Sequence, residues 1–240
     1  MTRNDIKAVF LDAGNTLFTE KVGRSALFHQ VAVAHGADAP DPDHVATVLA
    51  RTLQDLPNSW EGHFRYSLAW FQAYNERVLT ELGVPENGLG DACESLVATF
   101  RDPATYRLYE EVPEVLAELG RLGIQVGVVS NWSEVLPELL ADLGLDEHLG
   151  FIIVSADLKA EKPERAIFER ALFRAGVPAA ETVHVGNHFE HDVRGALNAG
   201  MRAVWIDRAA EGIGDREGVP VVPDLRGLLE LLGTGATARA

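Results

Sequence analysis

Short apolar runs that end directly at polar residues recur along the chain. The first run covers 8–11 and ends at Asp12. Four further runs have the same form, at 124–129, 151–154, 182–185 and 203–206. Short, mainly apolar runs of this kind predict fully buried strands. A weaker run at 219–222 contains Pro220, which cannot donate to a strand ladder, and so predicts a strand at the sheet edge.

Helical periodicity fills the intervals between these predicted strands. Apolar residues recur at helical spacing in four segments, 113–122, 136–143, 165–175 and 192–199. Alternating strands and helices predict right-handed crossovers and a parallel sheet. The predicted fold class is therefore α/β, with a Rossmann-like three-layer core. Such sheets bind ligands beyond the carboxyl ends of their strands.

The region 19–102 has a different pattern, because it contains no strand-like run. Helical patterns occupy 26–35, 42–53, 63–82 and 89–100. We therefore predict an all-helical insert at 19–102 between two segments of the core, 1–18 and 103–232. The small and polar residues of 233–240 predict a disordered tail.

Charge and composition narrow the classes of partner. The chain has 240 residues and a formal net charge of −15. This charge disfavours binding to nucleic acid or to anionic membranes. A small anionic substrate is still possible, because a local cluster of donors can override the global field, and we expect a small-molecule substrate. The single cysteine, Cys93, cannot form an internal disulfide. Together with the absence of a recognisable export signal, this predicts a cytoplasmic protein, either a monomer or a homodimer.

Polar clusters lie at the predicted carboxyl edge of the sheet. The clusters are Asp12 to Thr16, Ser130-Asn131, Lys162-Pro163 and Asn187 to Asp192. Each alone is also typical of a turn, a helix cap or a solvated lysine. Together they predict one site, in which Asp12 is an exposed carboxylate and Lys162 neutralises negative charge. Asn187 and Asp192 offer the hard oxygen ligands that Mg²⁺ prefers.

These four motifs resemble those of the haloacid dehalogenase-like superfamily, in the branch with a helical cap inserted after the first motif. The resemblance implies that Asp12 is the nucleophile and that Lys162 stabilises charge during catalysis. It implies a Mg²⁺ ion held by Asp12, Gly14, Asn187 and Asp192. The residues implied to contact the substrate are Gly14, Asn15, Thr16, Ser130, Asn131 and His188.

Two positions depart from the phosphatase pattern of that superfamily. Gly14 stands where a second aspartate usually protonates the leaving group, and Asn187 stands where an acid usually binds the metal. General acid–base catalysis contributes about 10²–10⁴-fold in rate, so we expect a slow phosphatase. His188 and His191 are candidates to replace the missing acid.

Three functions remain open at this point. The favoured one is a phosphatase acting on a small phosphorylated metabolite. The second is a metal-free haloacid dehalogenase, in which Arg24 or Arg51 would receive the halide, although the aromatic residue usual at position 14 is absent. The third is a binding protein of the same fold without turnover.

Overall fold

The computed structural model describes residues 5–233, so the predicted tail lies outside the described residues from position 234 onward. The described chain divides into two compact units. The first contains the residues up to Thr19, Leu108–Asn131 and the residues from Leu140 onward. The second contains Glu20–Arg107 and Trp132–Leu139. The predicted insert did not include the short segment Trp132–Leu139, because the pattern of polar and apolar residues in this segment resembles that of the core helices.

The strands of the described residues are β1 Ala8–Leu11, β2 Phe18–Glu20, β3 Ser59–Trp60, β4 His63–Phe64, β5 Tyr106–Leu108, β6 Gln125–Ser130, β7 Phe151–Val154, β8 Thr182–Gly186, β9 Arg202–Ile206, β10 Gly214–Arg216 and β11 Val219–Val222. The helices are α1 Arg24–Ala34, α2 Pro42–Asp55, α3 Leu68–Glu81, α4 Glu86–Arg101, α5 Val112–Arg121, α6 Leu136–Asp142, α7 Ser155–Leu158, α8 Arg165–Ala175, α9 Gly195–Asn198 and α10 Leu225–Leu231.

The first unit is built on a seven-stranded sheet with the order β10-β11-β9-β8-β1-β6-β7. Its neighbouring strands run parallel, apart from the antiparallel pair of β10 and β11. Helices flank this sheet. On one face, Phe10 of β1 packs in a buried cluster with Ile167 and Phe168 of α8. The predicted α/β fold with a parallel Rossmann-like sheet is confirmed.

The prediction of an edge strand at 219–222 is wrong. β11 lies between β9 and β10, and β10 forms the edge instead. A tight turn at Glu217 and Gly218, both at positive φ, folds the chain back into this hairpin. Pro220 lies opposite Asp215, and residues on either side of it still pair with β10. One missing N–H therefore does not keep this strand at the edge.

The helix after β8 also differs from its predicted form. It begins at Phe189 rather than at residue 192, as a π-helical segment that extends to Arg194 and continues into α9. Such wide turns are rare and occur frequently at functional sites. A periodicity of 3.6 residues does not reveal them, because the extra residue per turn is set by local contacts.

The second unit contains α1 to α4 around its own core. Trp70 and Tyr74 are buried and stacked, with ring centroids 5.6 Å apart. The predicted all-helical character fails at one place, because β3 and β4 form a two-residue antiparallel hairpin. Glu61 and Gly62 adopt positive φ between them, which a helix does not allow. α3 therefore begins only at Leu68, after its cap residue Ser67.

None of the helices in the described part of the chain combines the length and the apolar character that crossing a lipid bilayer requires.

Candidate active site

Asp12 follows β1, an interior strand of the sheet, and two side chains from distant parts of the chain bind its carboxylate. Because β1 lies between β6 and β8, the residues that follow these parallel strands emerge at one edge. Asp12 Oδ1 accepts hydrogen bonds from Lys162 Nζ at 2.7 Å and from Ser130 Oγ at 2.9 Å. The Asp12 side chain retains 13% of its exposure. The structure therefore brings these three predicted residues together, while their catalytic roles stay predictions.

Lys162 links two carboxylates in the interior of the first unit. Its Nζ also donates to Asp192 Oδ1 at 2.6 Å, and the side chains of Lys162 and Asp192 are 3% and 1% exposed. Burial alone would lower the pKa of Lys162, but the charges of Asp12 and Asp192 outweigh it and raise this pKa. Lys162 therefore favours its charged ammonium form beside Asp12.

Asn131 holds the backbone that carries this lysine. Its Nδ2 donates to the Lys162 carbonyl at 3.0 Å, and its Oδ1 accepts from the Lys162 N–H at 2.8 Å. Both the Nδ2 and the Oδ1 of this amide therefore form hydrogen bonds within the protein. The predicted contact of Asn131 with substrate oxygens stays a prediction, and the observed contacts assign its side chain to positioning Lys162.

The structure adds His184, which sequence reasoning missed. Its ring is completely buried in β8, and its Nε2 lies 3.0 Å from Asp192 Oδ1. Since a carboxylate only accepts, we assign the ring proton to Nε2. Nδ1 has no hydrogen-bond partner, which fits an unprotonated nitrogen. The sequence did contain one signal for this residue, a histidine inside an apolar strand. Because buried polar groups need a hydrogen-bond partner, such a histidine indicates a polar contact in the interior.

Both carboxylate oxygens of Asp192 accept hydrogen bonds in this network. Oδ1 binds Lys162 and His184, and Oδ2 accepts from the backbone N–H of His188 at 2.8 Å. Burial alone would raise the pKa of Asp192, but Lys162 and His184 hold it well below its usual range. Asp192 therefore orients and neutralises Lys162, which is a different use from the predicted role as a metal ligand.

Arg208 stabilises the loop that follows Asp12 through hydrogen bonds. Arg208 Nη2 donates to the Thr16 carbonyl and Nη1 donates to Glu111, both at 2.6 Å. Asn15 adopts positive φ in this loop, and Thr16 is buried with no hydrogen-bond partner at Oγ1. The observed contacts of Asn15 and Thr16 shape the loop, and their predicted contacts with substrate stay predictions.

His188 and His191 stack on one another at the start of the π-helical segment, with ring centroids 3.9 Å apart. His188 Nδ1 faces the backbone N–H of His191 at 3.3 Å. Burial and the neighbouring His188 lower the pKa of His191. His191 therefore favours its neutral form, which can accept a proton but does not supply one readily at neutral pH.

A model of the haloacid dehalogenase-like hydrolase family matches residues 6–200. The chain belongs to this family. The match spans the region from β1 to the end of the helix that follows β8, and so includes each of the four motifs.

Individual relatives of this haloacid dehalogenase-like hydrolase include phosphatases. The chain is 34% identical over 160 residues to a phosphoserine phosphatase of Thermus thermophilus, a match covering 66% of this chain and 63% of that enzyme. It thus spans just under two thirds of that relative. It is 27% identical over 239 residues to a glyceraldehyde 3-phosphate phosphatase of Methanothermobacter thermautotrophicus, covering 95% of this chain and 100% of that enzyme.

Among solved structures, the fold is similar to that of a 2-haloacid dehalogenase from Pseudomonas syringae. The TM-score is 0.69 at 25% identity, and the match covers 96% of this chain and 100% of that one. Relatives of the two chemical classes, phosphate and carbon–halide hydrolysis, therefore share this fold. The fold alone does not choose between them.

The Mg²⁺ ion that the family resemblance implies can be tested against these side chains. Asp12 Oδ2, the Gly14 carbonyl and the Asn187 amide converge, with contacts of 3.3 and 3.1 Å from Asn187. Asp192 points elsewhere, as described above, and Lys162 already neutralises Asp12. Nowhere in residues 5–233 do three or more His, Cys, Asp or Glu side chains form a metal-binding group. This donor set does not fit a magnesium site, because Mg²⁺ gives up its water mainly to anionic oxygens.

Gly186, the last residue of β8, is a position where a single methyl group would disturb the site. A Cβ there would lie 2.2 Å from Asp192 Cγ. We expect Gly186→Ala to displace the Asp192 carboxylate and to lower the free energy of unfolding by about 1–3 kcal/mol. Urea unfolding measures this effect. The matched control is Gly120→Ala in α5, where a Cβ would meet no atom within 4 Å. Equal stability of the two variants would contradict the steric argument.

Proposed function

We propose that the chain is an aspartate-based phosphatase that acts on small phosphorylated metabolites and works best on esters with good leaving groups. The arrangement of donors around Asp12 carries the proposal. Lys162 and Ser130 both bind Oδ1, so Oδ2 keeps a lone pair for attack. Asp12 is also not fully buried, as a nucleophile requires.

The proposed reaction has two steps. Asp12 Oδ2 attacks phosphorus as the bond from phosphorus to the leaving oxygen breaks, which produces an aspartyl phosphate and an alkoxide or phenoxide. Water then attacks phosphorus, releasing inorganic phosphate and restoring the carboxylate. Lys162 holds Asp12 in place and offsets its negative charge, while Ser130 fixes the rotation of the carboxylate. Positioning and charge are the main contributions that proteins make to phosphoryl transfer.

Gly14 limits the proposed activity. It has no side chain to protonate the leaving oxygen, so an alkoxide must take its proton from water. His191, with its lowered pKa, is a weak replacement for an acid at neutral pH. A phenoxide leaves without prior protonation, and therefore we propose a strong preference for aryl over alkyl phosphates.

The class of substrate is inferred from relatives. The phosphatases from Thermus thermophilus and Methanothermobacter thermautotrophicus are named for phosphoserine and glyceraldehyde 3-phosphate, which are small phosphate monoesters. The net charge of −15 agrees with a small-molecule substrate and disfavours nucleic acid and anionic membrane as partners. We further propose a cytoplasmic protein that is a monomer or a homodimer.

A second candidate is metal-free hydrolysis of a carbon–halogen bond. It is favoured by the neutral residues Gly14 and Asn187, since a dehalogenase needs neither a general acid nor a metal. The two arginines considered for halide binding are both occupied. Arg24 donates twice to Glu20 Oε1, at 3.1 and 2.7 Å, and Arg51 pairs with Glu81. An arginine already paired with a carboxylate is a poor halide site, so this function ranks second.

The test compares leaving groups in the absence and presence of Mg²⁺. We expect kcat/KM for para-nitrophenyl phosphate to exceed that for glycerol phosphate by about 10²-fold or more, because general acid catalysis is missing. The matched variant is Gly14→Asp, which supplies a carboxyl group at this place. It should raise the rate on glycerol phosphate and leave the aryl ester nearly unchanged.

A parallel incubation with L-2-chloropropionate measures chloride release. Chloride release without phosphate release would replace the phosphatase proposal with the dehalogenase. If the folded protein hydrolysed none of the three substrates, it would be a binding protein of the same fold.

A further inference from the structure

The side chain of Asn187 lies between two oxygens of the first motif. Its amide is half-buried, and its outer atom is 3.3 Å from Asp12 Oδ2 and 3.1 Å from the Gly14 carbonyl oxygen. If that atom is oxygen, three oxygens face each other with no proton between them. If it is nitrogen, its two N–H groups satisfy both neighbours. Hydrogen-bond partners decide amide orientation where the two atoms look alike, and they select the nitrogen.

The charges around Asn187 support the same orientation. A cation at this point would approach Asp12, whose other oxygen already binds the Lys162 ammonium at 2.7 Å. It would gain no second carboxylate, because Lys162, His184 and the His188 N–H use both oxygens of Asp192. The amide, in contrast, brings two partial positive charges and requires no further anion.

We propose that the Asn187 amide takes the place of a divalent cation, donating one N–H to Asp12 Oδ2 and the other to the Gly14 carbonyl. The resting site is then complete without metal. This proposal concerns the free protein and holds whether the substrate is a phosphate ester or a haloacid. It goes beyond the proposed function, because it assigns a structural role to a neutral residue at a position where the resemblance implies a metal ligand.

A single substitution reverses the arrangement. Asn187→Asp places a carboxylate within about 3.3 Å of Asp12 Oδ2 and of the Gly14 carbonyl, with no proton to share. The variant should melt at least roughly 5 °C below the wild type in the presence of a chelator, because like charges repel at short range. Mg²⁺ should restore its melting temperature, since a ligand that binds only the folded state stabilises it.

The experiment measures thermal unfolding and isothermal titration calorimetry of the full chain with MgCl₂, with and without inorganic phosphate. The matched control is Asn198→Asp, the same change at an exposed residue at the end of α9. We expect the wild type and the control to bind no Mg²⁺ up to about 10 mM and the Asn187→Asp variant to bind it saturably below that concentration, because one or two carboxylates are the usual protein ligands of Mg²⁺.

Two results would overturn the proposal. One is saturable Mg²⁺ binding by the wild type, alone or with phosphate, because the site would then hold the cation among three oxygens. The other is an Asn187→Asp variant as stable as the wild type in chelator, because the amide would then be making no necessary contact. Neither readout requires turnover, so a failure of the phosphatase proposal leaves both results interpretable.

Discussion

We expect Asp12→Asn to reduce turnover by roughly 10⁴-fold or more, the scale seen when a catalytic nucleophile is removed. The amide has the same shape but no nucleophilic oxygen anion. The Asn oxygen can still accept from Ser130 and Lys162, which bind Asp12 Oδ1 at 2.9 and 2.7 Å. Lys162 also keeps Asp192 as an anionic partner, so the fold should persist. Phosphate release from para-nitrophenyl phosphate measures the loss.

The matched control for this change is Asp207→Asn. Asp207 directly follows β9, a strand of the same sheet, and its Oδ1 accepts from the Ala209 N–H rather than from Lys162. The control should keep nearly all activity. Acid-quenched wild type should gain the mass of one phosphoryl group during turnover, and Asp12→Asn should not. If Asp12→Asn retained more than a tenth of the wild-type rate, another group would be the nucleophile.

The parts of the fold that follow from burial alone were predictable from sequence. The runs at 8–11 and 151–154 are strands with those bounds, because strands of a parallel sheet that is flanked by helices consist mainly of apolar residues. The convergence of Asp12 and Ser130 then follows from topology, since their strands β1 and β6 are parallel neighbours. The carboxyl ends of such strands always share an edge, whatever their separation in sequence.

Contacts between polar side chains were less predictable. A sequence does not tell whether Asp192 faces a cation or a lysine, because both need the same carboxylate. The choice depends on His184, which lies eight residues earlier and contacts Asp192 because the π-helical segment places that carboxylate beside β8. The same holds for Asn131, a residue typical of a helix cap that instead binds the backbone of Lys162.

Local turn geometry also escaped prediction. Nothing in the spacing of apolar residues between 63 and 82 separates the hairpin strand His63–Phe64 from the helix that follows it. The positive φ values of Glu61 and Tyr66 mark the two bends, and non-glycine residues reveal such values only in a structure.

The second large effect is expected at Lys162. Lys162→Met leaves Asp12 and Asp192 without their shared counter-ion, and Asp192 is buried to 1% exposure. Removing one partner of a buried ion pair costs about 3–5 kcal/mol, because an uncompensated charge remains inside. We expect the free energy of unfolding, measured with urea at pH 7.5, to fall by this amount. Phosphatase activity should be lost as well.

The stability deficit of Lys162→Met should shrink as the pH falls. In the wild type the pKa of Asp192 is depressed, so its contribution is present above the unfolded pKa near 4 and is lost as pH falls through the lower folded value. Without Lys162, burial raises the pKa of this carboxyl, so the variant gains stability as pH falls through that raised value. A deficit that stays constant between pH 7.5 and pH 4.5 would contradict the ion-pair explanation.

The double variant Lys162→Met/Asp192→Asn separates stability from catalysis. It removes the buried charge at Asp192, while the amide oxygen can still accept from the His188 N–H and the amide NH2 can donate to the other tautomer of His184. We expect more than half of the lost stability to return, because replacing both members of a buried ion pair is far less costly than removing one. Activity should not return, since Asp12 still lacks its ammonium partner. If stability and activity both returned, Lys162 would serve only to neutralise Asp192. If neither returned, the contribution of Lys162 would come from the packing of its aliphatic stem.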